Sequence, residues 1–218
     1  MKENKLLRGL CVLTAALMLG LTGCANGSDT NDSDAQSQAA TAEVQSAWTE
    51  LDQTTITKEM GMGWNLGNQL EASNAGIPSE TTWGNPTISE DLIKAVKEQG
   101  FKTVRIPVSY LDKIGAAPDY TIDSAWLDRV QEVVDYVVGN DLYAIINIHG
   151  DGYYTVDKSW LRCVDDNQDE IKDKYEKVWA QIADRFKDYD QHLIFESMNE
   201  ESDNTYGKPN AIGYENIN

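Results

Sequence analysis

A parallel α/β fold of the (β/α)8 TIM-barrel type is predicted by three observations. Short β-branched runs alternate with longer amphipathic segments along residues 48–218, as βαβ units require. The runs begin about forty to fifty residues apart, which leaves room for a strand, a crossover helix and a decorated loop. Each run also ends in polar residues, at the place where such a barrel carries its working groups.

The elements follow in order. Gly63, Trp64, Asn65 and Leu66 form the first strand run. Residues 89–99, SEDLIKAVKEQ, predict a helix: Ser89 is a good N-cap, acids fill the first turn, and Gly100 stops it. Residues 103–107, TVRIP, are strand-like. Residues 122–140 place Trp126, Val130, Val133, Val134 and Val137 on one helical face. Residues 143–148, YAIINI, read as a buried strand, and residues 169–187 as a helix with Ile171, Tyr175, Val178, Trp179, Ile182 and Phe186 together. Residues 193–198 are the fourth strand.

A doubly wound sheet is the alternative, but GWNLGN lacks the glycine pattern of a dinucleotide-binding turn. Only about the first four βα units fit, the last without a clear helix. A whole barrel takes ~250 residues. Residues 48–218 supply roughly 170, so they read as the N-terminal half of one.

The first 47 residues stand apart. Lys2, Lys5 and Arg8 precede an apolar run at 10–21, well short of the ~20 residues of a membrane span, so residues 1–23 read as a signal peptide. LTGC at 21–24 resembles a bacterial lipobox, which predicts cleavage before Cys24 and its lipidation. A plain secretory signal with an incidental cysteine is the other reading. Residues 24–47 are Ser, Asp, Asn, Ala and Gln with little to bury, a flexible polar tether. The expectation is an extracellular cell-surface lipoprotein that meets the membrane only through its N-terminal anchor.

Net charge is −18; residues 1–23 carry +2, leaving −20 on the rest. Such a surface repels nucleic acid and suits a neutral or cationic substrate. Cys163 is the one cysteine of the body, so no internal disulfide is expected. His149 and His192 are the only histidines; no zinc-type cluster, and no cofactor, is expected.

Chemistry concentrates at the strand ends: Asn65 and Asn68, Arg105, His149, then Asn199 and Glu200. Strand alternation puts Asn147 with His149, and Glu196 with Glu200, with Glu196 deeper and Arg105 a partner for it. Each residue has a plainer reading too. Arg105 could be a structural ion pair, His149 a satisfied core histidine, and Trp64 and Trp83 core residues instead of sugar platforms. Glu201 and the DDNQDE stretch at 165–170 read as solvated loop charge.

Five stretches appear in order: GMGWNLGNQLEA (61–72), TTWGNP (81–86), GFKTVRIPVSY (100–110), YAIINIHGD (143–151) and LIFESMNE (193–200). Together they resemble glycoside hydrolase family 5, nearest its bacterial endoglucanase and xyloglucanase branch. The resemblance implies a retaining β-1,4-glucanase on a (β/α)8 barrel, monomeric when full length, acting on cellulose, mixed-linkage glucan or xyloglucan. It implies Glu200 as acid/base, Asn199 on the sugar hydroxyl beside the reacting carbon, Arg105 bracing the nucleophile, and His149, Trp64 and Asn65 in substrate contact. For neighbours Asn199 and Glu200 both to reach the sugar, the strand must bulge or end there.

This sequence departs from the family pattern twice. Gly150 stands where a second histidine is usual, and Glu201 where proline is usual. In the family the nucleophile is a glutamate on the seventh strand, which these 218 residues do not reach. The chain alone is therefore expected to be inactive. A non-catalytic surface glycan-binding protein on a degenerate barrel is the rival reading.

Overall fold

The computed structural model describes residues 52–201. The predicted signal peptide, Cys24 and the tether lie outside the described residues. Four parallel strands form one sheet in sequential order: β1 (Gly63–Asn65), β4 (Thr103–Ile106), β5 (Tyr143–His149) and β6 (Leu193–Asn199). Between them run α2 (Glu90–Glu98), α3 (Ser124–Val138) and α4 (Gln168–Arg185). This is the succession of βα units that a (β/α)8 barrel begins with.

The helices form where the sequence places caps and apolar faces. Ser89 accepts from the Leu92 amide at the start of α2, and Asp123 accepts from Trp126 at the start of α3. Ile93 and Val96 of α2, and Val130, Val133, Val134 and Val137 of α3, are buried against the sheet. Ile171, Val178 and Ile182 continue this layer on α4. The 168–170 part of the acidic stretch is not loop but the first turn of α4, where Asp169 and Glu170 complement the helix dipole.

Strand register sorts the two faces of the sheet. Gly63 pairs with Thr103, Arg105 with Asn65 and Ile145, and Asn147 with Glu196. The opposite set, Trp64, Val104, Ile106, Ala144, Ile146, Ile148 and Leu193, belongs to the helix-side core. One face is therefore apolar and covered by helices, while the other gathers Asn65, Arg105, Asn147 and Glu196.

A helix and a hairpin are among the elements that the sequence pattern does not announce. Helix α1 (Gln53–Met60) has no buried residue, so no apolar stripe betrays it. It is tied to the strand starts: Thr103 Oγ1 donates to the Met60 carbonyl (2.6 Å) and Tyr143 Oη to Glu59 (2.7 Å). The other is a hairpin of two-residue strands, β2 (Ser73–Asn74) and β3 (Ile77–Pro78), too short for any periodicity to show.

Candidate active site

Arg105 occupies the middle of the polar face. Its Nε and Nη2 donate to the two carboxylate oxygens of Glu196 at 2.7 and 2.6 Å. Nη2 also donates to Asn199 Oδ1 (2.7 Å), and Nη1 to Asn65 Oδ1 (3.1 Å). One side chain of β4 thus holds β1 on one side and β6 beyond β5 on the other. The guanidinium beside Glu196 keeps that carboxyl below its usual range, and Glu196 in turn holds Arg105 up. Asn147 Nδ2 adds a third donor to Glu196 at 3.1 Å.

Strand β6 is not regular, and its irregularity makes the site. Asn147 pairs with Glu196 but His149 pairs with Asn199, so one residue of β5, Ile148, faces two of β6, Ser197 and Met198. This bulge corrects the parity expected from the sequence. Regular alternation puts Glu196 and Glu200 on one side, whereas the extra residue turns Asn199 to the side of Glu196 instead. Glu200 then leaves the strand with φ +50°, in the left-handed region. The carbonyl of Ser197, inside the bulge, accepts from Tyr175 Oη (3.2 Å) and Trp179 Nε1 (3.1 Å) of α4. The half-buried aromatic pair of α4 therefore supports the bulge as well as the core.

A groove runs beside these strand ends, lined by Glu71, Trp83, Leu111, His149, Gly150 and Tyr153. Trp83 is 54% exposed and anchored by its Nε1, which donates to the Ser73 carbonyl (2.9 Å), so its ring is presented to the groove. Burial holds His149 below its ordinary value, and Arg105 adds to this against the pull of Glu71, so the imidazole is neutral at pH 7. A Cβ at Gly67 would lie 2.7 Å from Asn65 Nδ2, so a larger residue there would push the Asn65 amide aside.

The structure brings Glu200, Asn199, Arg105, Asn65 and His149 to one end of the sheet. Trp64 does not join them; it lies on the helix side and packs against the core. Three residues that the sequence reading missed belong here. Tyr153 Oη meets both Asn199 Nδ2 (2.8 Å) and Glu200 Oε2 (3.3 Å). Glu71 accepts from the Asn68 and Gln69 amides. Asp151, wholly buried, accepts from Ser109 Oγ (2.9 Å), the Tyr110 amide (3.0 Å) and Trp160 Nε1 (2.8 Å), and so fixes the loop that carries Tyr153. The GDGYY spacing right after His149 is the one signal that could have marked Tyr153.

The sequence model of the cellulase family, glycosyl hydrolase family 5, matches residues 67–218. The chain belongs to glycosyl hydrolase family 5. Among family 5 relatives, it is 58% identical over 163 residues to Endoglucanase A of Paenibacillus barcinonensis, covering 75% of this chain and 41% of that protein. A family 5 xyloglucanase from Paenibacillus pabuli is 60% identical with a TM-score of 0.74, over 75% of this chain and 45% of that one. A broad-specificity endoglucanase of subfamily 4 from Ruminococcus champanellensis, with bound cellotriose, is 41% identical with a TM-score of 0.70, over 78% and 51%. The chain thus spans about half, or less, of the length of these family 5 proteins, whose barrel it shares in its first units.

Glu201 differs from its expected role as solvated loop charge. Its carboxyl oxygens are shut off from solvent against Gly152, where a Cβ would collide with them. Burial pushes this carboxyl up to about 8, with Asp151 adding to the rise and the Gly152 amide opposing it. Burial likewise pushes Asp151 up to about 7 against its three donors. A carboxyl raised on folding contributes stability below its unfolded value and loses it as pH climbs through the folded one. The stability of the fold is therefore expected to fall as pH rises from the ordinary carboxylate range, about 4, until Asp151 has ionised at about 7 and Glu201 at about 8, and to level off above that. Chemical denaturation from about pH 4 to about pH 9 checks this: Asp151→Asn should make the decline shallower up to about pH 7, and a flat wild-type profile would contradict the assignment.

Proposed function

We propose that this chain carries the acid/base half of a retaining endo-β-1,4-glucanase acting on cellulose, mixed-linkage glucan or xyloglucan. The observation that carries the reading is the junction at the end of β6. There Glu200 stands beside Asn199, Asn199 is locked to Arg105, and Tyr153, hydrogen-bonded to both, lines a groove with an anchored, exposed tryptophan. Names of the relatives support the same reading, since they are endoglucanases and a xyloglucanase.

The geometry distributes the chemistry as follows. Trp83 offers an aromatic face to the apolar side of a sugar ring, and Glu71 and neutral His149 offer hydrogen bonds to its hydroxyls. Glu200 gives its proton to the glycosidic oxygen as the bond to the anomeric carbon breaks, then takes one from the water that completes hydrolysis. Asn199 holds the hydroxyl next to the reacting carbon while Arg105 fixes its orientation. Retention needs a second carboxylate about 5–5.5 Å from the first. Glu196, held by Arg105 and Asn147 at the middle of the strands, is not the second carboxylate in this reading. The nucleophile belongs to a later strand of the complete barrel, and the 218-residue chain alone does not turn over.

Purified 218-residue chain is expected to bind cello-oligosaccharides yet leave carboxymethylcellulose and xyloglucan intact. A form extended through a second glutamate strand should cleave at least one of them, and Glu200→Gln should slow it about 100-fold or more. Clear turnover by the short chain would overturn the division of labour. Binding by both forms with hydrolysis by neither would favour a glycan-binding protein.

We also propose that Cys24 anchors the protein at the outer cell surface, on the strength of LTGC at 21–24 and the polar tether. Expression in a bacterial host with labelled palmitate tests it. Label should enter the wild type and be lost in Cys24→Ser; an unlabelled wild type would refute the anchor.

A further inference from the structure

We propose that Tyr153 is a positioning residue for the acid/base: its hydroxyl fixes which oxygen of Glu200 carries the proton to be transferred. The inference rests on the assignment of Glu200 as acid/base, and it goes beyond it by deriving how that carboxyl is oriented.

Donors and acceptors fix the arrangement. Arginine has only donors, so the group that Arg105 Nη2 meets on Asn199 at 2.7 Å must be the carbonyl oxygen, Oδ1. That settles the amide: Nδ2 must point the other way, and it lies 2.8 Å from Tyr153 Oη. Asn199 is the donor there, so Tyr153 accepts. The phenolic hydrogen of Tyr153 is then left for the other neighbour of the hydroxyl, Glu200 Oε2, at 3.3 Å. Tyr153 donates to Oε2, and the transferable proton of Glu200 resides on Oε1.

Three features hold Tyr153 in this place. Gly150, at φ +82°, turns the chain directly after β5, and the Tyr153 amide closes the turn on the Gly150 carbonyl (3.2 Å). The Tyr153 ring packs edge-on to His149, with centroids 6.3 Å apart. Asp151, between them, anchors the loop to Ser109, Tyr110 and Trp160. The phenol also keeps its own proton: burial and the charge of Glu200 push it up to about 12. Nothing is transferred from Tyr153 in either step. The proton leaves Glu200 for the departing oxygen and returns to it from water, while the Tyr153 hydrogen stays on the phenol and stabilises the carboxylate between the two steps.

Tyr153→Phe keeps the ring and removes only the hydroxyl. In the 218-residue chain, labelled with nitrogen-15, the Asn199 side-chain amide resonances should shift and broaden, while the backbone spectrum of β5 and β6 stays that of the wild type. Unchanged Asn199 side-chain signals would overturn the contact. The kinetic arm uses the form of the protein that hydrolyses β-1,4-glucan and compares two leaving groups. Loss of acid positioning should slow cleavage of an unactivated cello-oligosaccharide about tenfold or more, with KM little changed. An aryl cellobioside whose phenol leaves without protonation should lose much less in its first step. Equal losses on both substrates would mean a merely structural role and sink the proposal. If the wild type cleaves neither substrate, the glycosidase reading fails and the positioning role fails with it, whereas the nitrogen-15 arm still decides the contact.

Discussion

The polarity of this site starts from one guanidinium. Arg105 presents donors in a fixed fork and can accept nothing, so every group it meets must turn an oxygen towards it. Glu196 complies with both carboxylate oxygens, and Asn65 and Asn199 with their amide carbonyls. The choice then propagates outward, because an amide with its oxygen committed has only its N–H groups left for the next neighbour. Strand β4 thereby sets the direction of hydrogen bonds two strands away. A lysine at this position would supply charge but neither the bidentate grip nor the third and fourth contacts.

The fork needs a β6 that is deliberately out of step. Glu196 and Asn199 are three residues apart, and a regular strand would send them to opposite faces. The extra residue between the His149 and Asn147 pairings brings both to Arg105, at the expense of a carbonyl, Ser197, taken out of the ladder. Tyr175 and Trp179 restore hydrogen bonds to that carbonyl from α4. Packing and function are thus joined in one helix: the apolar face of α4 fills the core, and its two aromatic polar tips stabilise the irregular strand. The left-handed backbone of Glu200 is the same device one residue later, a non-glycine conformation retained where the chain must present a carboxyl at the rim.

How much of this is legible in the sequence depends on the range of the interaction. Helices α2 and α3 carry local signals, Ser89 and Asp123 as caps and apolar residues at helical spacing, and their bounds fall within about two residues of those expected. Arg105, His149, Asn199 and Glu200 are legible because strand ends are where a parallel barrel places chemistry. The side taken by Trp64 is legible only after pairing is known, since both faces of a three-residue strand accept tryptophan. Tyr153, Asp151 and the burial of Glu201 depend on a loop folding back across the strand ends, a contact between residues more than forty positions apart for Tyr153 and Glu200. No periodicity records such a contact. Helix α1 escapes for the opposite reason: it is short and capped by Asp52, but buries nothing.

The central claim, that Arg105 organises a sugar-binding acid/base site, is tested most directly by one titration. Cello-oligosaccharide is added to the nitrogen-15-labelled chain and to its Arg105→Lys variant, with the backbone spectrum reporting that both are folded. The account predicts ligand-induced shifts at His149, Tyr153, Asn199 and Glu200 in the wild type, and an affinity about tenfold or more weaker in the variant. Equal affinity in the two proteins, or shifts confined to residues away from the strand ends, would contradict it.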